Sequence, residues 1–144
     1  MKVGEIRVKV RFENDMDARL CGAGKLAKKR VRTAAVEAVV DTGAVMLLLP
    51  QELVEKPGLE VFDKTIVALA DERRVSMDRA GGLVVDIGGR KMVTDCLVGP
   101  PGCEPLIGQL IMESLDLIAD PAKRTLTPRP ESPLRPTLKM KVAA

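Results

Sequence analysis

The sequence predicts a mainly β domain, and three observations predict it. Residues 5–13 alternate strictly, with Ile6, Val8, Val10 and Phe12 on one face and Arg7, Lys9 and Arg11 on the other, the period of a half-buried strand. Two pairs of strand-like runs are each joined by turn residues: 61–69 with 74–79 around Ala70-Asp71-Glu72-Arg73, and 83–87 with 91–98 around Gly88-Gly89. A Gly-Gly step between apolar runs is among the strongest short hairpin signals. Strands do not alternate with long helical patterns, so a β/α fold is not expected. The pattern yields about eight or nine short strands and two short helices.

Residues 14–30 are polar, glycine-bearing and basic, and are expected to form a loop insertion with one helical turn around Lys25–Lys29. A strand over 32–40 then enters Asp41-Thr42-Gly43-Ala44, where the periodicity stops. Val45–Leu49 is a continuous apolar run, suited to a strand buried on both faces. Pro50 suits the first position of a short helix through Glu55, which Pro57-Gly58 ends. Gly81-Gly82 is expected to interrupt its strand, and Gly99-Pro100-Pro101-Gly102 to end the next. Leu106-Ile107-Gly108 leads into a helix over 109–115 with Ile111, Met112 and Leu115 at helical spacing. Residues 117–119 and 124–127 are placed to pair around Asp120-Pro121-Ala122-Lys123. From Pro128 onward prolines recur without any period. The expected organisation is one domain over 1–127 and a Pro-rich tail or arm over 128–144.

Composition bounds the chemistry. The 144 residues include two Phe, no Tyr and no Trp, so an aliphatic core is expected and base-stacking surfaces are not. There is no histidine, which excludes Ser-His-Asp and Cys-His nucleophile pairs, HExxH zinc sites and His general bases. Proton transfer falls to carboxylates. The net charge of +3 is too small to imply a nucleic-acid partner. Residues 1–10 have no apolar h-region, and no apolar run approaches the ~20 residues of a membrane span. No membrane partner is expected. Cys21, Cys96 and Cys103 are odd in number and lack metal-ligand spacing, so they read as reduced thiols in a cytoplasmic protein, with no metal or cofactor. Gly22-Ala23-Gly24-Lys25 lacks the spacing of a phosphate-binding loop. The basic cluster Lys25, Lys28, Lys29 and Arg30 reads as a solvated loop. Met77, Met92 and Met112 read as packing, and Asp86 and Asp95 lie in strands with no evident partner.

Asp41 is the candidate catalytic residue. It ends one apolar strand and precedes another, a place where desolvation disfavours its charge. Thr42 offers a hydroxyl, and Gly43 permits a tight turn with exposed backbone N–H groups. A strand–Asp–turn–strand element of this kind holds a carboxylate rigidly in a nearly dry pocket.

Taken together, Val39-Val40-Asp41-Thr42-Gly43-Ala44, the hairpin centred near Asp71-Glu72, and Leu106-Ile107-Gly108 about 65 residues after Asp41 resemble the retropepsin-like aspartic proteases, specifically their bacterial single-domain branch. That family carries an apolar-apolar-Asp-Thr/Ser-Gly-Ala turn, a β-hairpin flap, and a later apolar-apolar-Gly before a C-terminal helix. The stretch from Ile87-Gly88-Gly89-Arg90 through Leu97-Val98-Gly99-Pro100 is similar to its closing half. The resemblance implies a closed, barrel-like half completed by homodimerisation, with Asp41 of two copies forming the catalytic dyad and no cofactor. It implies that Thr42 braces the dimer centre, that Gly43 N–H fixes the carboxylate, and that Ala44 completes the turn. Ala70, Asp71, Glu72 and Arg73 would form the flap tip over a peptide or protein substrate, although this tip is charged where the retroviral enzymes are glycine-rich. Leu106, Ile107 and Gly108 would be the second motif. A non-catalytic dimeric module that binds peptide or protein is the alternative.

Overall fold

The computed structural model describes residues 5–142; the expected domain start at residue 1 and tail end at 144 lie outside them. In chain order the elements are β1 (Arg7–Asn14), α1 (Asp15–Gly22), a 3-10 turn (Lys28–Arg30), β2 (Thr33–Val40), β3 (Leu48–Pro50) and α2 (Gln51–Glu55). They continue with β4 (Glu60–Ala68), β5 (Arg74–Ile87), β6 (Arg90–Gly99), β7 (Leu106–Ile107), α3 (Gln109–Leu115), β8 (Leu117–Asp120) and β9 (Thr125–Pro128). The chain is mainly β, as its periodicity predicts.

Strand β1 closes the architecture because both of its edges are used. One edge pairs antiparallel with β2, from Arg7 opposite Val39 to Glu13 opposite Thr33. Across the other edge, Arg11–Asn14 pair antiparallel with Leu83–Asp86 of β5. The sheet order β1-β2-β7-β3-β6-β5 therefore returns to β1 as a closed six-stranded barrel. Closure removes the unpaired edges that a flat sheet would expose. Val10 and Phe12 of β1 point inward and are buried, while Arg7, Lys9 and Arg11 point to solvent, as the alternation requires. The core is aliphatic apart from Phe12, Cys96 and Met112, with Leu49, Leu83, Val85, Ile107 and Ile111 fully or almost fully enclosed. Phe62, the other aromatic, is exposed on β4.

Two pairings are parallel, β2 with β7 and β3 with β6. Because β2 and β7 run the same way, the turns at their C-terminal ends emerge at the same end of the barrel. Those turns are 41–44 and 108–109.

Several elements depart from the sequence expectation. Residues 14–30 are a loop only in part: 15–22 form α1, 23–27 have no helix or strand, and a 3-10 turn over Lys28–Arg30 overlaps the helical turn expected around Lys25–Lys29. Asn14 caps α1, its side chain accepting from Asp17 N at 3.0 Å, and Asp15 and Asp17 supply the acidic first turn that complements the helix dipole. Asn14 also donates to the carbonyls of Pro57 (3.0 Å) and Gly58 (3.3 Å), and the Asp17 carboxylate accepts from the Arg32 backbone N (3.0 Å) and Nε (2.8 Å). The expected strand over 45–49 shrinks to Leu48–Pro50, since only Leu48 and its neighbours find strand partners, and Val45 is 71% exposed. Gly81-Gly82 does not interrupt β5. It marks a shift in the β5/β6 register, where β5 trades its partner β4 for β1. The 88–89 turn is as predicted, with φ of 59° and 88° at its two glycines, the left-handed backbone a tight hairpin needs.

Residues 129–142 have no helix or strand, yet part of the tail is docked. Asp116, in left-handed conformation at the end of α3, accepts from the Ser132 hydroxyl, from Arg129 Nε (2.9 Å) and from Thr137 N (3.0 Å). Arg90 donates to the carbonyls of Leu115 (2.9 Å), Asp116 (3.2 Å) and Ser132 (2.5 Å). Asp95, expected to lack a partner, pairs with Arg79 at 2.6 Å, and Asp86 accepts from Gly89 N. Met112 is buried and Met92 packs against the core, while Met77 is half-buried.

Candidate functional site

Asp41 leaves β2 as the last anchored residue before the turn. Its N–H donates to the Ile107 carbonyl at 2.9 Å, which continues the β2/β7 ladder by one step. The carboxylate is then fixed locally. Asp41 Oδ1 accepts from Gly43 N at 2.9 Å, and the Asp41 carbonyl accepts from Ala44 N at 3.1 Å. This is a tight Asx-type turn, in which the side chain substitutes for a backbone acceptor. A glycine is expected at 43 for its backbone freedom, but Gly43 does not have positive φ. A Cβ there would sit 3.3 Å from Asp41 Oδ1, a tight contact that the carboxylate would have to relieve by shifting a few tenths of an ångström.

The second motif meets the first directly. Helix α3 has no side-chain cap at Gly108, and a helix start leaves backbone N–H groups without intrahelical partners. Here the Asp41 turn supplies them: Gln109 N donates to Ala44 O at 2.8 Å, and Leu110 N to Val45 O at 3.0 Å. This close approach needs a residue without a side chain at 108. A Cβ on Gly108 would lie 2.7 Å from Ala44 O and 2.8 Å from Val45 O. The capping carbonyls of Ala44 and Val45 were not evident from sequence, although a Gly where a helix wants Ser, Thr, Asp or Asn was the available signal.

The Asp41 turn is more open than the apolar flanks predict. Asp41 and Ala44 are half-buried, and Thr42 and Gly43 are exposed, so one chain alone does not make the nearly dry pocket. Leu106 is half-buried and Ile107 fully buried beneath the turn. Val45 and Leu110, beside the turn, are 71% and 41% exposed.

The 70–73 segment forms the tip of the β4–β5 hairpin as expected, with Leu69 N donating to Arg73 O (2.8 Å) and Glu72 N to Leu69 O (2.9 Å). Glu72 takes a φ of 68°, and Arg73 Nε bonds to Asp71 Oδ2 at 2.6 Å. All four residues are exposed, and among the described residues β4 has β5 as its one sheet neighbour. Among the described residues, no hydrogen bond or ion pair joins this tip to the Asp41 turn. The structure thus brings 41–44 and 106–108 together and leaves 70–73 on a projecting hairpin.

Cys21, Cys96 and Cys103 are free. Burial pushes the Cys96 thiol up to about 12, with the Asp95 carboxylate adding to the effect, so it is an unreactive packing residue. No group of three or more Cys, Asp or Glu among the described residues is placed to hold a metal ion, and no helix there is long and apolar enough to cross a membrane. A cavity of about 800 Å³ lies beneath the docked tail, lined by Glu113, Asp116, Arg129 and Thr137 among others, and touches no residue of the Asp41 turn.

A scan against protein-family models gives no match, and a search of curated proteins gives none either. The functional reading therefore rests on the residues and their geometry.

Proposed function

We propose that this chain is one half of a retropepsin-like aspartic endopeptidase, in which Asp41 of two copies activates a water for peptide-bond hydrolysis. The observation that carries this reading is the clasp between the two motifs. Ile107 O and the start of α3 hold the 41–44 turn from beneath, while Gly43 N–H orients the Asp41 carboxylate.

A single Asp-Thr-Gly turn supplies one carboxylate, and the chemistry needs two. Exposed Thr42 and Gly43, flanked by exposed Val45 and Leu110, form a face that a second copy would cover. Across a two-fold axis the Asp41 pair would sit close enough that both cannot ionise easily, so they share one proton. The ionised partner then takes a proton from the bound water as it attacks the scissile carbonyl. The protonated partner donates to the carbonyl oxygen, and a proton passes to the leaving amine as the tetrahedral intermediate collapses. The two titrations belong to the pair. Dimerisation would also bury the turn and supply the water exclusion that one chain lacks. The β4–β5 hairpin would close over an extended peptide held in strand-like pairing.

Cleavage of an unfolded protein across acid to neutral pH, by the native chain and by Asp41→Asn, tests the reading. Activity in the native chain and loss of ~10³-fold or more in the variant is the expected result. Equal activity in both, or a native chain that stays monomeric at high concentration, defeats it. The alternative, a dimeric module that binds peptide without cleaving it, draws on one observation: the 70–73 tip is charged and closed on itself by the Arg73–Asp71 pair. Peptide binding by a dimer without cleavage at any pH would select it.

A further inference from the structure

The most uneven charge in the molecule lies on the α1 side of the barrel, away from the motifs above. Between residues 18 and 36 there are six basic side chains and no acidic one, in a chain whose net charge is +3, so the remainder is net acidic. Two of the six are satisfied locally: Arg19 pairs with Asp15 (2.9 Å) and Arg32 with Asp17 (2.8 Å). The other four, Lys25, Lys28, Lys29 and Arg30, are exposed and make no ion pair among the described residues. Lys28–Arg30 form a 3-10 turn, whose successive side chains fan out about 120° apart. Lys25 is tied to the end of α1, its N–H donating to Leu20 O at 2.8 Å. One turn apart on that helix, Met16 and Leu20 are 70% and 38% exposed. Cations without an ion pair among the described residues thus follow directly on a helix that turns two apolar side chains to solvent.

This surface is held in shape. Asn14 and Asp17, both buried, bind α1 to Pro57, Gly58 and Arg32 through the hydrogen bonds described above. The helix beside the cations is therefore preformed, and a partner has to order only their side chains.

We propose that the surface from α1 to the 3-10 turn docks an acidic polypeptide segment with interspersed apolar residues. Carboxylates would meet Lys25, Lys28, Lys29 and Arg30, and apolar side chains would cover Met16 and Leu20. A nucleic acid fits less well. Phe12 is buried and Phe62 lies on β4, leaving no aromatic platform for bases beside the cations, and exposed Met16 and Leu20 would face phosphates. A lipid surface fits less well too, because α1 is eight residues long and offers only two apolar side chains for insertion. The proposal does not depend on the chemistry of Asp41.

Fluorescence anisotropy with a labelled peptide of repeating Glu-Glu-Leu units, titrated with the full chain at low salt, tests it. Saturable binding is expected, weakened at least about tenfold in the variant Lys25→Gln, Lys28→Gln, Lys29→Gln, Arg30→Gln. Met16→Ser with Leu20→Ser should weaken it about threefold or more, an effect that charge alone would not produce. Lys139→Gln with Lys141→Gln, which removes two cations elsewhere, should leave it unchanged. All these positions are exposed, and circular dichroism checks that each variant folds. Equal affinity in the fourfold variant, equal weakening by the 139/141 variant, or tighter binding of a single-stranded oligonucleotide or of phosphatidylserine vesicles would overturn the proposal. So would self-association, without peptide, that the fourfold variant abolishes.

Discussion

Gly108 shows how much one missing side chain decides at the residue scale. Its lack of a Cβ lets the first N–H groups of α3 reach the Ala44 and Val45 carbonyls, and the same contact holds the turn that carries Asp41. Gly108→Ala should destabilise the fold by about 1–3 kcal/mol, because the obstruction is backbone that cannot swing aside. Urea unfolding measures this, and a change under about 0.5 kcal/mol would mean the turn moves freely. Cys96 gives a second expectation at this scale. With its thiol buried and pushed up to about 12, it should resist alkylation in the native chain and react once the chain is unfolded, which peptide mapping after iodoacetamide treatment would reveal. Both Gly43 and Gly108 stand out in the sequence. Their reason does not, since neither has the left-handed backbone that marks Gly88 and Gly89.

Helix α1 is the element that sequence periodicity misses, and its composition says why. An amphipathic helix announces itself by an apolar stripe, but the buried residue of α1 is Asp17, and its apolar Met16 and Leu20 face outward. Polar anchoring takes the place of hydrophobic packing. Asn14 both caps the helix and donates to two carbonyls of the 57–58 turn, so Asn14→Ala should cost about 1–3 kcal/mol and raise hydrogen exchange through 15–22. An unchanged exchange pattern there would show that Arg32 and Asp17 suffice alone. A cap residue followed by two acids is a helix-start signal, but without an apolar stripe after it periodicity does not register the helix. Strand β5 errs the other way. Its Gly81-Gly82 step looks like a stop, yet ladders on both sides carry the strand through.

At the scale of the whole molecule, the barrel and the tail are joined by one polar cluster. The Asp116 carboxyl is held at about 2, below its ordinary 3.8, chiefly by the Ser132 hydroxyl, then by Thr137 N–H and Arg129. A carboxyl lowered by docking binds fewer protons docked than released. Its contribution is therefore complete above about pH 4 and is lost as the pH falls from there towards 2. The protection of the Thr137 amide, taken as its exchange relative to the intrinsic rate at each pH, should fall on acidification through this range. Asp116→Asn should lower that protection at neutral pH and flatten its pH dependence; a tail equally protected in the variant would place the anchor at Arg90 instead. Nothing in residues 128–137 announces this docking, because its partners, Arg90 and Asp116, lie far away in sequence and act through carbonyls and a carboxylate.

What the sequence determines by itself is the part of the structure built from local period and turn chemistry: the β1 alternation, the Gly88-Gly89 hairpin, the short helix after Gly108, and Asp41 as the carboxylate in a tight turn. These are legible because adjacent residues alone decide which face is apolar and which backbone angles are allowed. Tertiary structure decided the rest. Barrel closure through the second edge of β1, the parallel β2/β7 pairing that brings Asp41 to Gly108, the anchoring of α1, and the docked tail all depend on residues distant in the chain. Their hydrogen-bond partners and steric gaps exist only once the chain has folded.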